Sequence, residues 1–195
     1  QPGQLEAAAR AMAAQTTIAV DTESDSFYHY PERLCLLQIA TADQAYIIDP
    51  LALPDLEPLR PVLANTSVQK LLHGADYDVR SLDRHSGLRV GNVYDTNIAA
   101  RLAGLTEFGL AALIQNLLSV TIPKSKKFQR ADWGQRPLSQ ELLEYAADDV
   151  RYMIALRDAL TQKLRAFGRT EWVAEECVRL EEVHYTPPDP DSAFL

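Results

Sequence analysis

Residues 16–23 read TTIAVDTE, and the fold turns on this stretch. Ile18 and Val20 are β-branched, and the apolar run stops at two acids, Asp21 and Glu23, which is the pattern of a strand ending at a polar edge. Side chains two apart share one face of a strand. Asp21 and Glu23 therefore project together where the apolar run ends. Two carboxylates on one face repel unless water or a cation comes between them. Hard oxygen donors at that spacing suit Mg²⁺ or Mn²⁺. A solvated strand end entering a turn would read the same way.

Downstream, residues 33–41 (RLCLLQIAT) and 44–49 (QAYIID) read as two more strands, joined by a link short enough for a hairpin. Leu36 and Gln38 on the first of these face the core or the sheet. Pro50, Pro54, Pro58 and Pro61 punctuate a loop and a short helix. Residues 68–72 and 90–94 read as strands four and five, each followed by helical sequence: 76–85 after the first, 96–103 and 109–119 after the second. Upstream, residues 5–14 are rich in Ala and Leu and read as a helix. Ser139 is a good N-cap for one long helix to about Arg165, and a last helix covers roughly 170–183. Three early strands followed by strands alternating with helices imply one α/β domain, a mixed five-stranded sheet flanked by helices.

Two further places could carry chemistry. His73-Gly74-Ala75-Asp76-Tyr77-Asp78 spans a strand-to-helix junction. Acids in a first helical turn meet the helix dipole favourably, so spacing does not choose between Asp76 and Asp78. His73 reads as a buried, hydrogen-bonded histidine or as a substrate contact. On the long helix, Tyr145 and Asp149 lie four apart on one face, with Asp148 beside them. Asp95 either supports the site from the fifth strand or caps the helix after it.

Residues 121–137 differ in composition. They hold Lys124, Lys126, Lys127, Arg130 and Arg136 against one acid, Asp132, and read as a basic loop suited to phosphates. Trp133 stacks on a base or anchors that loop. Phe27, Tyr28 and Tyr30, just after the first acids, are placed to stack on terminal bases.

The 195 residues suffice for one domain with a real core, and 47% apolar and 24% charged residues are ordinary for a globular protein. No run of about 18 apolar residues suggests a membrane span. Cys35 and Cys177 form no CxxC pair, which argues against a cysteine zinc site and for a reducing compartment, the cytoplasm. A formal charge of −8 speaks against a nucleic-acid partner unless the acids gather around cations, which invert the local field.

An Asp-x-Glu at a strand end, a helix-start Asp and a late Tyr-xxx-Asp follow one another in this order. With this constellation the chain resembles the DEDD exonuclease superfamily, in its tyrosine-containing branch, and within it ribonuclease D. The matching stretches are AVDTES, RLCLLQIAT, LLHGADYDVRSL, VYDTNIAARLAG, the basic stretch through ADWGQRPLS, and YAADDVRY. The resemblance implies an RNase H-like sheet with its site at the strand ends. It implies that Asp21, Glu23, Asp78 and Asp149 hold two divalent cations, Mg²⁺ or Mn²⁺, and that Tyr145 orients the attacking water. It further implies hydrolysis from single-stranded RNA 3′ ends, with transfer RNA precursors as substrate and no membrane association. No site position departs from the family pattern. Residues 1–185 would form the exonuclease domain. Residues 186–195 would be a linker toward a C-terminal helical domain of the HRDC type, and the start without Met fits a piece of a longer protein. A DNA exonuclease of the same fold, or a non-catalytic RNA-binding protein, are the alternative readings.

Overall fold

The computed structural model describes residues 2–123 and 126–187. Helix α1 (Pro2–Ala13) leads into β1 (Thr17–Ser24), β2 (Leu34–Ala40) and β3 (Ala45–Ile48). A 3₁₀ turn (Glu57–Leu59) and the short α2 (Arg60–Leu63) precede β4 (Gln69–Leu72), α3 (Asp76–Ser86) and β5 (Val93–Asp95). Seven-residue α4 (Thr96–Leu102) is followed by α5 (Leu110–Leu118), α6 (Lys126–Gln129), α7 (Gln140–Arg151), α8 (Met153–Ala166) and α9 (Thr170–Glu181). Among the described residues no helix is long and apolar enough to cross a membrane.

The strands form one mixed sheet in the order β3-β2-β1-β4-β5. β1 is central, antiparallel to β2 on one side and parallel to β4 on the other. β2 and β3 form the expected hairpin, closed by the Thr41 N–H donating to the Gln44 carbonyl at 2.9 Å. Every residue of β2 is buried, since both faces of the sheet are covered. On one face α1, α2 and α3 pack through Leu5, Met12, Val62, Val79 and Leu82 onto Ile18, Val20, Leu37 and Ile39. On the other, α4, α5, α8 and α9 pack through Ala99, Leu113, Leu156 and Cys177 against Ala19, Ala40 and Leu71. Burying such side chains contributes roughly 1.5–3 kcal/mol each, which is what holds the strand ends in fixed register.

Local chemistry sets the junctions. Gly74, at φ +77°, turns the chain from β4 into α3, and Gly87, at φ +59°, closes α3 in the left-handed conformation glycine adopts without cost. Ser139 caps α7 by accepting from the Leu142 N–H. Three expectations shift. The long helix is two, because the backbone leaves helical geometry at Tyr152 (φ −100°, ψ 0°); α7 can then lie over β1, β2 and β3 while α8 turns to β4, α4 and α5. The fifth strand is only Val93–Asp95, since Asn92 at φ +53° ends the extended run. The basic loop contains one short helix, α6.

Candidate active site

β1 is the element that makes the site. Its register puts Asp21 opposite Gln38 and Glu23 opposite Leu36 on β2, and an irregularity follows at Glu23/Ser24. Both acids thus stand on the sheet face that α7 crosses. α7 brings Asp149 onto them: Asp21, Glu23 and Asp149 each offer a carboxylate oxygen, all within 4.8 Å of one another. Asp78, on the first turn of α3, is 6% exposed and accepts a hydrogen bond from the Thr22 hydroxyl. Its charge reaches both Asp21 and Glu23.

The electrostatics are those of an uncompensated acidic pocket. Burial, then Asp78, Glu23 and Asp149, raise Asp21 well above the usual carboxylate range. Burial, then Asp149 and Asp78, do the same for Glu23. Burial pushes Asp78 and Asp149 up to about 7. Tyr145 is raised by burial and then by Asp149, Glu23 and Asp21, so its hydroxyl stays protonated, and beside Asp149 it acts as a donor that lowers that acid's pKa. Gln129 lies near the same hydroxyl and acts in the opposite direction on its pKa. The Tyr145 ring is held between Phe128 and Trp133, with centroids 5.5 and 6.3 Å away. An all-carboxylate oxygen set that resists ionisation in isolation fits hard divalent cations such as Mg²⁺ or Mn²⁺. Nothing in the cluster would suit a soft metal.

The ambiguities of spacing resolve in the side chains. Asp76 turns to solvent and pairs with Arg80 at 2.8 Å, leaving Asp78 facing the cluster. Asp148 pairs with Arg151 at 2.6 Å, leaving Asp149. Asp95 caps α4 and also reaches back: its carboxylate accepts from Asn97 and Ile98 at 2.7 and 3.3 Å, and from Gly74 and Ala75 at 3.0 and 2.8 Å. It ties the start of α3, and with it Asp78, to the end of β5.

The substrate-side candidates divide. Phe27 and Tyr28 are exposed on the 25–33 loop, beside the basic segment: the Arg130 guanidinium lies 5.8 Å from the Phe27 ring centroid, and the Tyr28 hydroxyl donates to the Arg130 carbonyl at 3.0 Å. Tyr28, Lys126, Lys127, Phe128 and Arg130 line a cavity of about 550 Å³. Lys124 lies outside the described residues. Trp133 is not available for stacking: it is 1% exposed and packs with Cys35, Leu36 and Ala146. Arg136 is likewise an anchor and not a phosphate contact. It forms two bonds to Asp49, both at 2.7 Å, and others to the carbonyls of Trp133, Gln135 and Cys35. His73 is half-buried and held by Thr96, Nδ1 to Oγ1 at 2.9 Å, and burial lowers its pKa, which favours the neutral, hydrogen-bonded ring.

Several site-building residues escaped the sequence reading. Asp25 is buried and takes the Arg33 backbone N–H and guanidinium at 2.6–2.7 Å, which shapes the loop carrying Phe27 and Tyr28. Gly134 packs against that pair; a Cβ there would stand 2.6 Å from the Arg33 guanidinium. Thr22 was legible only as the middle of Asp-x-Glu, and Gln129 gave no signal at all.

Comparison with known proteins agrees with this geometry. A family model described as 3′-5′ exonuclease matches residues 1–165. Ribonuclease D of Shewanella sp. (strain ANA-3) is 35% identical over 179 residues, 91% of this chain and 46% of that protein. The catalytic core of RRP6 from Trypanosoma brucei superposes with a TM-score of 0.91 at 33% identity, covering 100% of this chain and 54% of that one. A structure of Brucella melitensis NrnC with bound Mg²⁺ superposes with a TM-score of 0.78 at 31% identity, covering 87% of this chain and 84% of that one. The chain spans less than half the length of the curated relatives it matches.

Proposed function

This chain belongs to the 3′-5′ exonuclease family, and from that premise we propose that it hydrolyses RNA from the 3′ end in the manner of ribonuclease D, releasing nucleoside 5′-monophosphates. The observation that carries the reading is the meeting of Asp21, Glu23 and Asp149 oxygens within 4.8 Å, beside Tyr145, whose hydroxyl acts on Asp149 to lower its pKa. Asp21, Glu23 and Asp149 would hold one divalent cation, and Asp21 with Asp78 a second. Bound there, such cations lower the pKa of a water and offset the charge of the phosphate.

The chain's own groups do the rest. Tyr145, protonated and fixed between two aromatic rings, orients the water for in-line attack on the terminal phosphodiester. Phe27 and Tyr28 offer exposed faces on which a terminal base stacks. Lys126, Lys127 and Arg130 hold phosphates upstream of the cut. No covalent nucleophile is required. Transfer RNA precursors are the substrate class that the likeness to ribonuclease D favours, and the cytoplasm is the matching compartment.

Digestion of one single-stranded RNA, labelled at either end, tests the reading. The 3′ label leaves first as mononucleotide, the 5′-labelled strand shortens stepwise, and chelator stops both. Internal cuts, or activity that survives chelator, would overturn it. Carboxylates and cations read phosphate and not sugar, so a parallel single-stranded DNA substrate separates the RNA reading from a DNA exonuclease.

A further inference from the structure

Gln38 is a polar side chain buried in the middle of a fully buried strand. It is 0% exposed, and neither Nε2 nor Oε1 has a hydrogen-bond partner among the described residues. Both a donor and an acceptor are therefore left unpaired away from water, which is unfavourable and uncommon. An apolar side chain of similar size there would leave no donor or acceptor unpaired. Its position accounts for its presence. Gln38 is the cross-strand partner of Asp21. Directly opposed residues of antiparallel strands carry their side chains on the same face, with Cβ atoms about 4.5–5.5 Å apart. The amide thus stands beside the carboxylate that the proposed function makes common to both cations.

We propose that Gln38 is a positioning residue for Asp21: its amide N–H bonds the Asp21 carboxylate in the cation-loaded site and fixes which oxygens face the cations. Without cations, Asp78, Glu23 and Asp149 crowd that carboxylate with like charge, and Gln38 has no bond to it. With cations in place its oxygens are assigned, and the oxygen lying over β2 becomes a fixed acceptor for Gln38. Groups that bond a metal ligand from behind commonly set metal affinity by about 10–100-fold. This inference rests on the proposed cation site, and the experiment keeps the two apart.

Gln38→Met and Gln38→Leu keep the volume and remove the amide. Binding of Mn²⁺ alone is measured by calorimetry, and melting temperature is measured in chelator. The expected result is Mn²⁺ affinity weakened about tenfold or more in both variants, with a melting temperature in chelator equal to or above that of the unaltered chain. Affinity within twofold of the unaltered chain overturns the proposal. So does a variant that melts several degrees lower or fails to fold in chelator, because Gln38 would then be bonded already without cations. If the unaltered chain itself binds no Mn²⁺, the cation site falls and this inference with it; if only the variants' affinity is unchanged, the inference falls alone.

Discussion

Asp148 and Asp149 follow one another on α7, yet one is neutralised by Arg151 and the other joins Asp21 and Glu23. A rotation of about 100° per residue separates their directions, and the apolar stripe of Ala146 and Val150 fixes which way the helix lies. The stripe was legible in the sequence; spacing alone left Asp148 and Asp149 open, and only the family resemblance pointed to Asp149. The pairing of Asp148 with Arg151 leaves Asp149 beside Asp21 and Glu23. Tyr145 is a donor and not a base, because burial and three nearby carboxylates raise its pKa. Tyr145→Phe removes the hydroxyl that would hold the attacking water, a hydrogen bond worth about 1.5–3 kcal/mol, and should slow hydrolysis by about 10²-fold with a much smaller effect on Mn²⁺ affinity. Single-turnover rates beside a Mn²⁺ titration would show it; an unaltered rate removes Tyr145 from the reaction.

At the scale of elements, the hairpin and the central strand announced themselves by β-branched runs and a short link. The junctions were partly visible through Gly74, Gly87 and Ser139. The break at Tyr152 was not, since Arg151-Tyr152-Met153 contains neither Gly nor Pro; it lets α7 cover β2 and β3 while α8 reaches β4, α4 and α5. The basic stretch misled in another way. Its charge suggested a phosphate-binding loop throughout, but Trp133 is buried and Arg136 is held by Asp49, 87 positions away. Long-range pairing of that kind leaves no local mark. Asp95 is the joint with the clearest consequence, because one carboxylate holds the N-termini of both α3 and α4. Asp95→Ala leaves four backbone N–H groups without that acceptor and should cost about 3 kcal/mol or more in urea unfolding, with loss of hydrolysis through displacement of Asp78. Unchanged stability would show that α3 is placed by packing alone.

The whole molecule carries −8, and part of that charge is concentrated where burial penalises it. Asp78 and Asp149 titrate near 7 in the fold, and Asp21 and Glu23 also sit above their ordinary values. In the unfolded chain the same groups ionise near pH 4. Between about pH 4 and pH 7 the folded state therefore keeps protons that the unfolded state has lost, and stability falls as pH rises. Cation-free protein should melt lower at pH 8 than at pH 5.5, with a shallower slope in Asp149→Asn. Saturating Mg²⁺ should reverse the trend, since cations bind the deprotonated carboxylates. A cation-free melting temperature that climbs across this interval would show that the acids are not buried together.

Four acids distant along the chain would together hold a pair of divalent cations. Counting Mn²⁺ bound per chain by electron paramagnetic resonance, with a nucleoside 5′-monophosphate present, measures this. Two ions are expected for the unaltered chain and fewer for Asp21→Asn, with the fold retained. Two ions in Asp21→Asn, or none in the unaltered chain, would contradict it.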